Sequence, residues 1–213
     1  MNHLEDAIAA GLDGLRLAVS GAVVSRLAAY LSLLEQWNRA YNLTAVRDVR
    51  EMVPRHILDS LSILPWLHGE RVLDVGSGAG LPGIPLALMS PQRTFTLLDG
   101  AGKRTRFMTQ VVLELELPNV TVVQSRVEAF RPPQPFDTVV SRAFASVEHF
   151  VSLAGSLCAR DGRLLAMKGL FPAEELAQLP AGYAVLASHR LDVPGVDGER
   201  HLIELVPVAT ASG

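Results

Sequence analysis

At Arg71 the hydrophobic pattern of the chain changes, and this change limits the fold more than any other feature. From there on, short apolar runs alternate with amphipathic stretches. Strands are expected at about 71–75, 94–98, 120–124, 137–141, 163–167, 184–192 and 201–207, with helices at about 82–89, 102–117, 146–159 and 173–179. Repeated strand–helix alternation gives an α/β fold, a parallel sheet covered by helices on both faces. Only the turn Pro194-Gly195-Val196-Asp197-Gly198 separates the last two strands, so they should close the seven-stranded sheet as an antiparallel hairpin.

Before Arg71 the pattern is helical. Leu27, Tyr30, Leu31, Leu34 and Trp37 fall on one helix face, with Ser20 as a candidate N-cap. A turn follows at Tyr41-Asn42-Leu43-Thr44. A second helix from about Val49 to Leu64 tolerates Pro54 near its start and stops at Pro65. The expected organisation is a helical extension over residues 1–67, packed on one compact domain over 68–213.

Composition sets outer limits. With 213 residues, 49% apolar and 19% charged, the chain can bury a sizeable core. Its longest apolar runs, Leu27 to Leu31 and Ile84 to Met89, are far too short to cross a membrane. Cys158 is the single cysteine, and the six histidines show no ligand spacing, so no metal site is expected. The acidic first ten residues are unlike a secretory signal, which leads to the expectation of a cytoplasmic protein. The net charge of −3 argues against a partner held by bulk electrostatics, although positive charge gathers in residues 39–142.

The stretch Val72-Leu73-Asp74-Val75-Gly76-Ser77-Gly78-Ala79-Gly80-Leu81-Pro82-Gly83 carries the most chemical information. It reads as an apolar strand, a glycine-rich turn and a helix start at Pro82. Glycines let the backbone pass close to a ligand, and a helix start offers free N–H groups. A phosphate-binding P-loop needs lysine where Ile84 stands, so that reading fails. A dinucleotide fingerprint wants a small residue where Leu81 stands, which weakens a nicotinamide oxidoreductase. The remaining pattern, Asp-x-Gly-x-Gly-x-Gly from Asp74 to Gly80, resembles the first motif of S-adenosylmethionine-dependent methyltransferases.

The second strand ends at Asp99, 21 residues after Gly78. An acid there can accept both ribose hydroxyls of a nucleoside cofactor, or cap the helix that follows, and the two roles are compatible. The third strand leads to Arg126-Val127-Glu128, where an apolar side chain can cover adenine. The fourth ends at Ser141-Arg142-Ala143. All four strand ends lie on the carboxyl edge, where open α/β sheets bind ligands.

Together these residues resemble one family. Trp37-Asn38-x-x-Tyr41-Asn42-Leu43-Thr44 and Arg55-His56-Ile57-Leu58-Asp59-Ser60-Leu61 are similar to the N-terminal signature of the bacterial small-subunit ribosomal RNA guanine-N7 methyltransferases, once named glucose-inhibited division protein B. The match continues in order through Asp74 to Pro85, Leu97-Leu98-Asp99, Lys103-Arg104-x-x-Phe107, Phe136-Asp137, Ser141-Arg142-Ala143 and Lys168-Gly169, covering roughly residues 27–205. Gly100 departs from the pattern, which has serine there, and residues 1–26 show little of it.

The resemblance implies a class I, Rossmann-like methyltransferase domain behind an N-terminal helical layer. It also implies methyl transfer from S-adenosylmethionine to N7 of a guanine in the 530 loop of 16S rRNA. Cofactor contacts are expected from Gly76, Gly78, Leu81, Asp99, Val127, Glu128 and Arg142. The partner is then 16S rRNA or the small ribosomal subunit, with no membrane and no metal, and the enzyme acts as a monomer. Candidate RNA contacts are Arg55, His56, Lys103, Arg104 and Lys168. Each has a plainer alternative: His56 and Asp59, with Arg55, can form a hydrogen-bonded cluster joining helix to sheet, and Lys103 and Arg104 can lie on a solvated face. Trp37 and Tyr41 are read as core rather than base-stacking groups. No general base is expected, because guanine N7 carries a lone pair and no proton at neutral pH. An assembly factor with the fold but no chemistry is the alternative in a different class; it has no need of intact Gly76, Gly78, Gly80 and Asp99.

Overall fold

The computed structural model describes residues 3–142 and 144–208; Ala143, at the end of the Ser141-Arg142-Ala143 segment, lies outside the described residues. The helical layer consists of α1 (His3–Gly14), α2 (Gly21–Tyr41), α3 (Val49–Met52), a π-helical turn (Val53–Leu58) and α4 (Asp59–Leu61). Then follow β1 (Arg71–Val75), α5 (Gly83–Met89), β2 (Thr94–Asp99), α6 (Gly102–Glu114), β3 (Val120–Gln124), β4 (Phe136–Ser141), α7 (Val147–Ala154), β5 (Cys158–Lys168), α8 (Ala173–Leu176), β6 (Tyr183–Arg190) and β7 (His201–Pro207). The seven strands form one sheet in the order β3-β2-β1-β4-β5-β7-β6. The first five are parallel, and β7 runs antiparallel between β5 and β6.

Strand alternation divides the interior into two cores. Val72, Phe95, Leu97 and Val140 point to one face, where they meet Ile8, Leu31, Leu34 and Leu61 of the helical layer with Ile84 and Phe107. Leu73, Val75, Leu98 and Val139 point to the other and meet Val147, Phe150 and Val151 of α7. The helical layer therefore shares a continuous core with the sheet.

Three expectations need correction. Ser20 stands at the N-cap of α2 but its side chain makes no capping hydrogen bond. The helix expected over Val49 to Leu64 is broken by the π turn, because Pro54 has no N–H to give to the preceding turn. The chain widens instead, and Asp59 N–H reaches back to Pro54 O. Finally, β5 starts at Cys158 rather than near 163, and the helix before it ends at Ala154, because Phe136 already pairs with Cys158 across a register shift in β4–β5.

Candidate active site

The turn after β1 is fixed from three sides. Gly76 and Ser77 N–H groups both donate to Leu98 O, at 2.8 and 3.1 Å, which ties the turn to β2. Gly78 N–H donates to Asp99 Oδ2 at 2.9 Å. From the helical layer, the buried Tyr30 hydroxyl donates to Ala79 O at 2.8 Å. At Gly78 φ is +59° and an added Cβ would meet nothing nearer than Gly76 O at 3.9 Å, so that face of the turn is open. Gly83 is the opposite case: a Cβ there would run into Leu97 and lie 2.8 Å from Asp74 Oδ2. Close helix–strand packing is thus provided by Gly83, two residues beyond the Leu81 that spoils the dinucleotide fingerprint. The N–H groups at the start of α5 are not free, because Gly83 donates to Asp74 Oδ2 at 2.9 Å and Ile84 to Gly80 O at 2.7 Å. Asp74 is fully enclosed, and burial pushes its carboxyl up from 3.8 to about 7.

Along the carboxyl edge three cavities follow one another. A cleft of about 490 Å³ is lined by Gly76, Asp99, Val127 and Glu128, with Leu98 and Phe144 as apolar walls. A narrower one of about 210 Å³ lies against Gly76, Gly78, Leu81, Arg104 and Arg142. A polar bowl of about 590 Å³ follows, lined by Arg142, Arg55, His56, Asp59, Lys168 and Arg200. Gly76 and Arg104 are shared by the first two, and Arg142 by the last two. All seven residues assigned to the cofactor from sequence line the first two cavities.

Asp99 is only 4% exposed and heavily engaged. Besides Gly78, it accepts from Ala101 N–H at 2.8 Å and from Arg104 Nη1 at 3.4 Å. It therefore ties the loop before α6 to the glycine turn while still lining the cleft; the N-cap of α6 is Ala101 and no side chain caps it, which corrects the helix-cap reading of Asp99.

The five RNA candidates separate. Arg55, His56 and Lys168 line the bowl, Arg104 lines both cavities by the glycine turn, and Lys103 stands apart with its ammonium 3.0 Å from Tyr41 O. Lys168 is held by Glu175 at 2.9 Å and Ala145 O at 2.8 Å. His56 is buried with Nε2 2.9 Å from Thr44 Oγ1, and burial, reinforced by Arg142, lowers its pKa from 6.5 to about 4. The ring is neutral at physiological pH. Trp37 packs on Phe107 with centroids 5.6 Å apart, and Tyr41 follows at the rim, 44% exposed.

The comparisons with known proteins agree with this architecture. The sequence model of the family described as GidB, rRNA small subunit methyltransferase G, matches residues 23–203. The protein named ribosomal RNA small subunit methyltransferase G from Marinobacter nauticus is 56% identical over 193 residues, 91% of this chain and 90% of that protein. Its namesake from Pseudomonas paraeruginosa is 56% identical over 204 residues, 95% of each. This chain belongs to the rRNA small subunit methyltransferase G family.

Solved structures place the fold. Magnesium protoporphyrin IX methyltransferase from Synechocystis, solved with bound S-adenosylmethionine, superposes with a TM-score of 0.60 at 19% identity, covering 90% of this chain and 99% of that one. The glycopeptide N-methyltransferase MtfA gives 0.62 at 13% identity, covering 72% and 87%. The sheet is that of the class I methyltransferases. Among the described residues no group of three or more His, Cys, Asp or Glu side chains is placed to hold a metal ion, and no helix is long and apolar enough to cross a membrane.

The structural roles of several residues around this candidate site escaped the sequence reading. Tyr30 was legible only as a core position, yet its hydroxyl supports the glycine turn. Asn38 clips the 42–46 turn by accepting from Thr44 N–H at 2.9 Å and donating to Val46 O at 3.2 Å, which brings Thr44 to His56. Arg200 reaches the bowl from a loop with no motif of its own.

Proposed function

We propose that this protein transfers a methyl group from S-adenosylmethionine to N7 of a guanine in the 530 loop of 16S rRNA. The observation that carries the reading is the continuous track along the carboxyl edge, in which Arg142 borders both the cavity by the glycine turn and the bowl. The residues suit the cofactor. Val127 and Phe144 offer apolar walls for a flat base, Asp99 and Glu128 offer acceptors for hydroxyls, and Arg142 and Arg104 offer charge to a carboxylate. Open space above Gly78 admits a ligand against the backbone.

When bound, S-adenosylmethionine supplies a methyl group activated by a sulfonium. Gly76, Asp99, Val127 and Glu128 then hold the nucleoside half, and Gly78, Leu81 and Arg142 the amino-acid half. Arg55, Lys168 and Arg200 face the RNA. No side chain takes a proton: His56 is neutral with Nε2 engaged by Thr44, and Arg142 is a permanent cation. The chain contributes orientation and exclusion of water, effects worth about 7–11 kcal/mol in well-aligned reactions.

Residues 1–67 and 68–213 work as one unit in this reading, and a monomer suffices because a single chain lines the whole track. It acts in the cytoplasm, where its substrate is made. Incubation with labelled S-adenosylmethionine and small ribosomal subunits lacking the modification, followed by mapping of the methylated base, tests the proposal. Label at a position other than guanine N7, or no label, would overturn it.

A further inference from the structure

The bowl beyond Arg142 is organised by one carboxylate. Asp59, placed by the π turn and 4% exposed, divides its two oxygens between two arginines. Oδ2 accepts from Arg142 Nη1 at 2.9 Å, and Oδ1 accepts from Arg200 Nε at 3.1 Å. One guanidinium comes from the end of β4, the other from just before β7.

Each arginine keeps donors in reserve. Arg142 spends Nη1 on Asp59 and on Arg55 O, and Arg200 spends Nε on Asp59 and Nη1 on Glu199 O. Among the described residues, Nη2 of neither guanidinium has a protein partner, and both side chains are partly exposed, at 27% and 31%. The bowl is lined by Arg55, Arg142, Lys168 and Arg200 against Asp59 and Asp197; Arg55 and Lys168 are paired with Glu51 and Glu175, so Arg142 and Arg200, which share one carboxylate, hold the charge left for a ligand.

We infer that Asp59 is a positioning residue that holds Arg142 toward the cofactor cavity with one oxygen and with the other aims Arg200 at a backbone phosphate of the RNA, next to the guanine that is methylated. The inference rests on the RNA reading above. The outward edge of the Arg200 guanidinium matches phosphate oxygens in geometry as well as charge. A bowl acting by charge alone would gain from losing Asp59, since its carboxylate cancels a cation. Burying a carboxylate between two arginines is also weakly stabilising at best, so stability does not account for it. Single-stranded RNA rather than another polyanion is indicated by the rim. There Phe171, 46% exposed and edge-on to His201 with centroids 5.7 Å apart, and Leu170, 76% exposed, offer surface for unstacked bases.

The test uses the full chain and small ribosomal subunits lacking the modification, read by filter retention of labelled subunits at several salt concentrations and by KM against kcat. Arg200→Gln should weaken retention about tenfold, raise KM more than it lowers kcat, and reduce the log–log salt slope by about one. Its S-adenosylmethionine affinity by calorimetry should not change. Asp59→Asn keeps both arginines and adds net positive charge, yet should also bind subunits more weakly. Equal or tighter retention by a folded Asp59→Asn protein overturns the positioning role. Should that variant fail to fold, Arg200→Gln decides alone, and unchanged retention and slope overturn the proposal. Failure of the unaltered protein to methylate subunits would instead strike the reading beneath it.

Discussion

The backbone N–H of Gly78 donates to Asp99 Oδ2 over 2.9 Å, so the turn after β1 and the acid ending β2 form one hydrogen-bonded unit. Asp99 also accepts from Ala101 N–H, on its other oxygen. Replacing the carboxylate by an amide sets an NH₂ group against one of these two N–H donors. Asp99→Asn should therefore cost about 1–3 kcal/mol of stability, the scale for a buried donor left unsatisfied. Cofactor affinity should fall with it. A urea-unfolding midpoint equal to that of the unaltered protein would show that Asp99 does not hold the turn.

Two glycines five residues apart should fail in different ways. Gly83→Ala forces a methyl group onto Leu97 and Asp74 and should destabilise by about 1–3 kcal/mol, the range for overpacking. Gly78→Ala meets open space but places an L-residue at φ +59°, a strain of about 1 kcal/mol, and intrudes on the cofactor cavity. Thermal unfolding should separate the first from the unaltered protein, and calorimetry with S-adenosylmethionine the second. Equal loss of cofactor affinity in both, at equal stability, would contradict this division.

His56 links stability to pH. Its pKa is about 4 folded against 6.5 unfolded, so between these values the unfolded chain binds more protons and stability rises with pH. The contribution is complete above pH 6.5 and lost on acidification toward pH 4. For a shift of this size the swing is about 3 kcal/mol. Asp74 runs the other way: its carboxyl, raised from 3.8 to about 7, makes the folded chain the better proton binder across nearly the same window. The two slopes offset each other in the unaltered protein. His56→Gln removes one of them, so the stability difference between unaltered protein and variant should grow from pH 4 to 6.5 and then level off. A difference independent of pH would mean that His56 titrates normally in the fold.

Much of this was legible because it is local. The strand–helix alternation from Arg71 onward marked the seven strands, and the spacing from Asp74 to Gly80 marked the glycine turn. What stayed hidden depends on contacts between distant segments. Asp59 and Arg200 are 141 residues apart, and no periodicity links a carboxylate on a helix to an arginine in a late loop. The π turn was masked because Val49 to Leu64 has an ordinary helical pattern, and only the ring of Pro54 widens it. Gly83 read as one more glycine, although in the structure its missing side chain leaves room for Leu97 of β2 and Asp74 of β1.

The chemical step should need no base. A purine N7 attacks with its in-plane lone pair, so nothing has to be deprotonated first. Three groups near the site have strongly displaced pKa values, and none suits the task. Tyr30, pushed up by burial, keeps its proton and donates a hydrogen bond to Ala79 O. His56, at about 4, is already neutral across the physiological range, and its Nε2 is engaged by Thr44. Asp74, at about 7, does titrate there, but it is enclosed behind the turn and accepts from Gly83 N–H. Its ionisation can reach the site only through the turn and hence through cofactor affinity. In single turnover at saturating S-adenosylmethionine the rate should then stay nearly flat from about pH 6 to 8.5, where a general base would impose up to a tenfold change per unit. At limiting cofactor, any inflection near pH 7 should vanish in Asp74→Asn. A steep rise that persists at saturation and disappears with one carboxylate or with His56 would require proton removal, and with it a methylated atom other than N7.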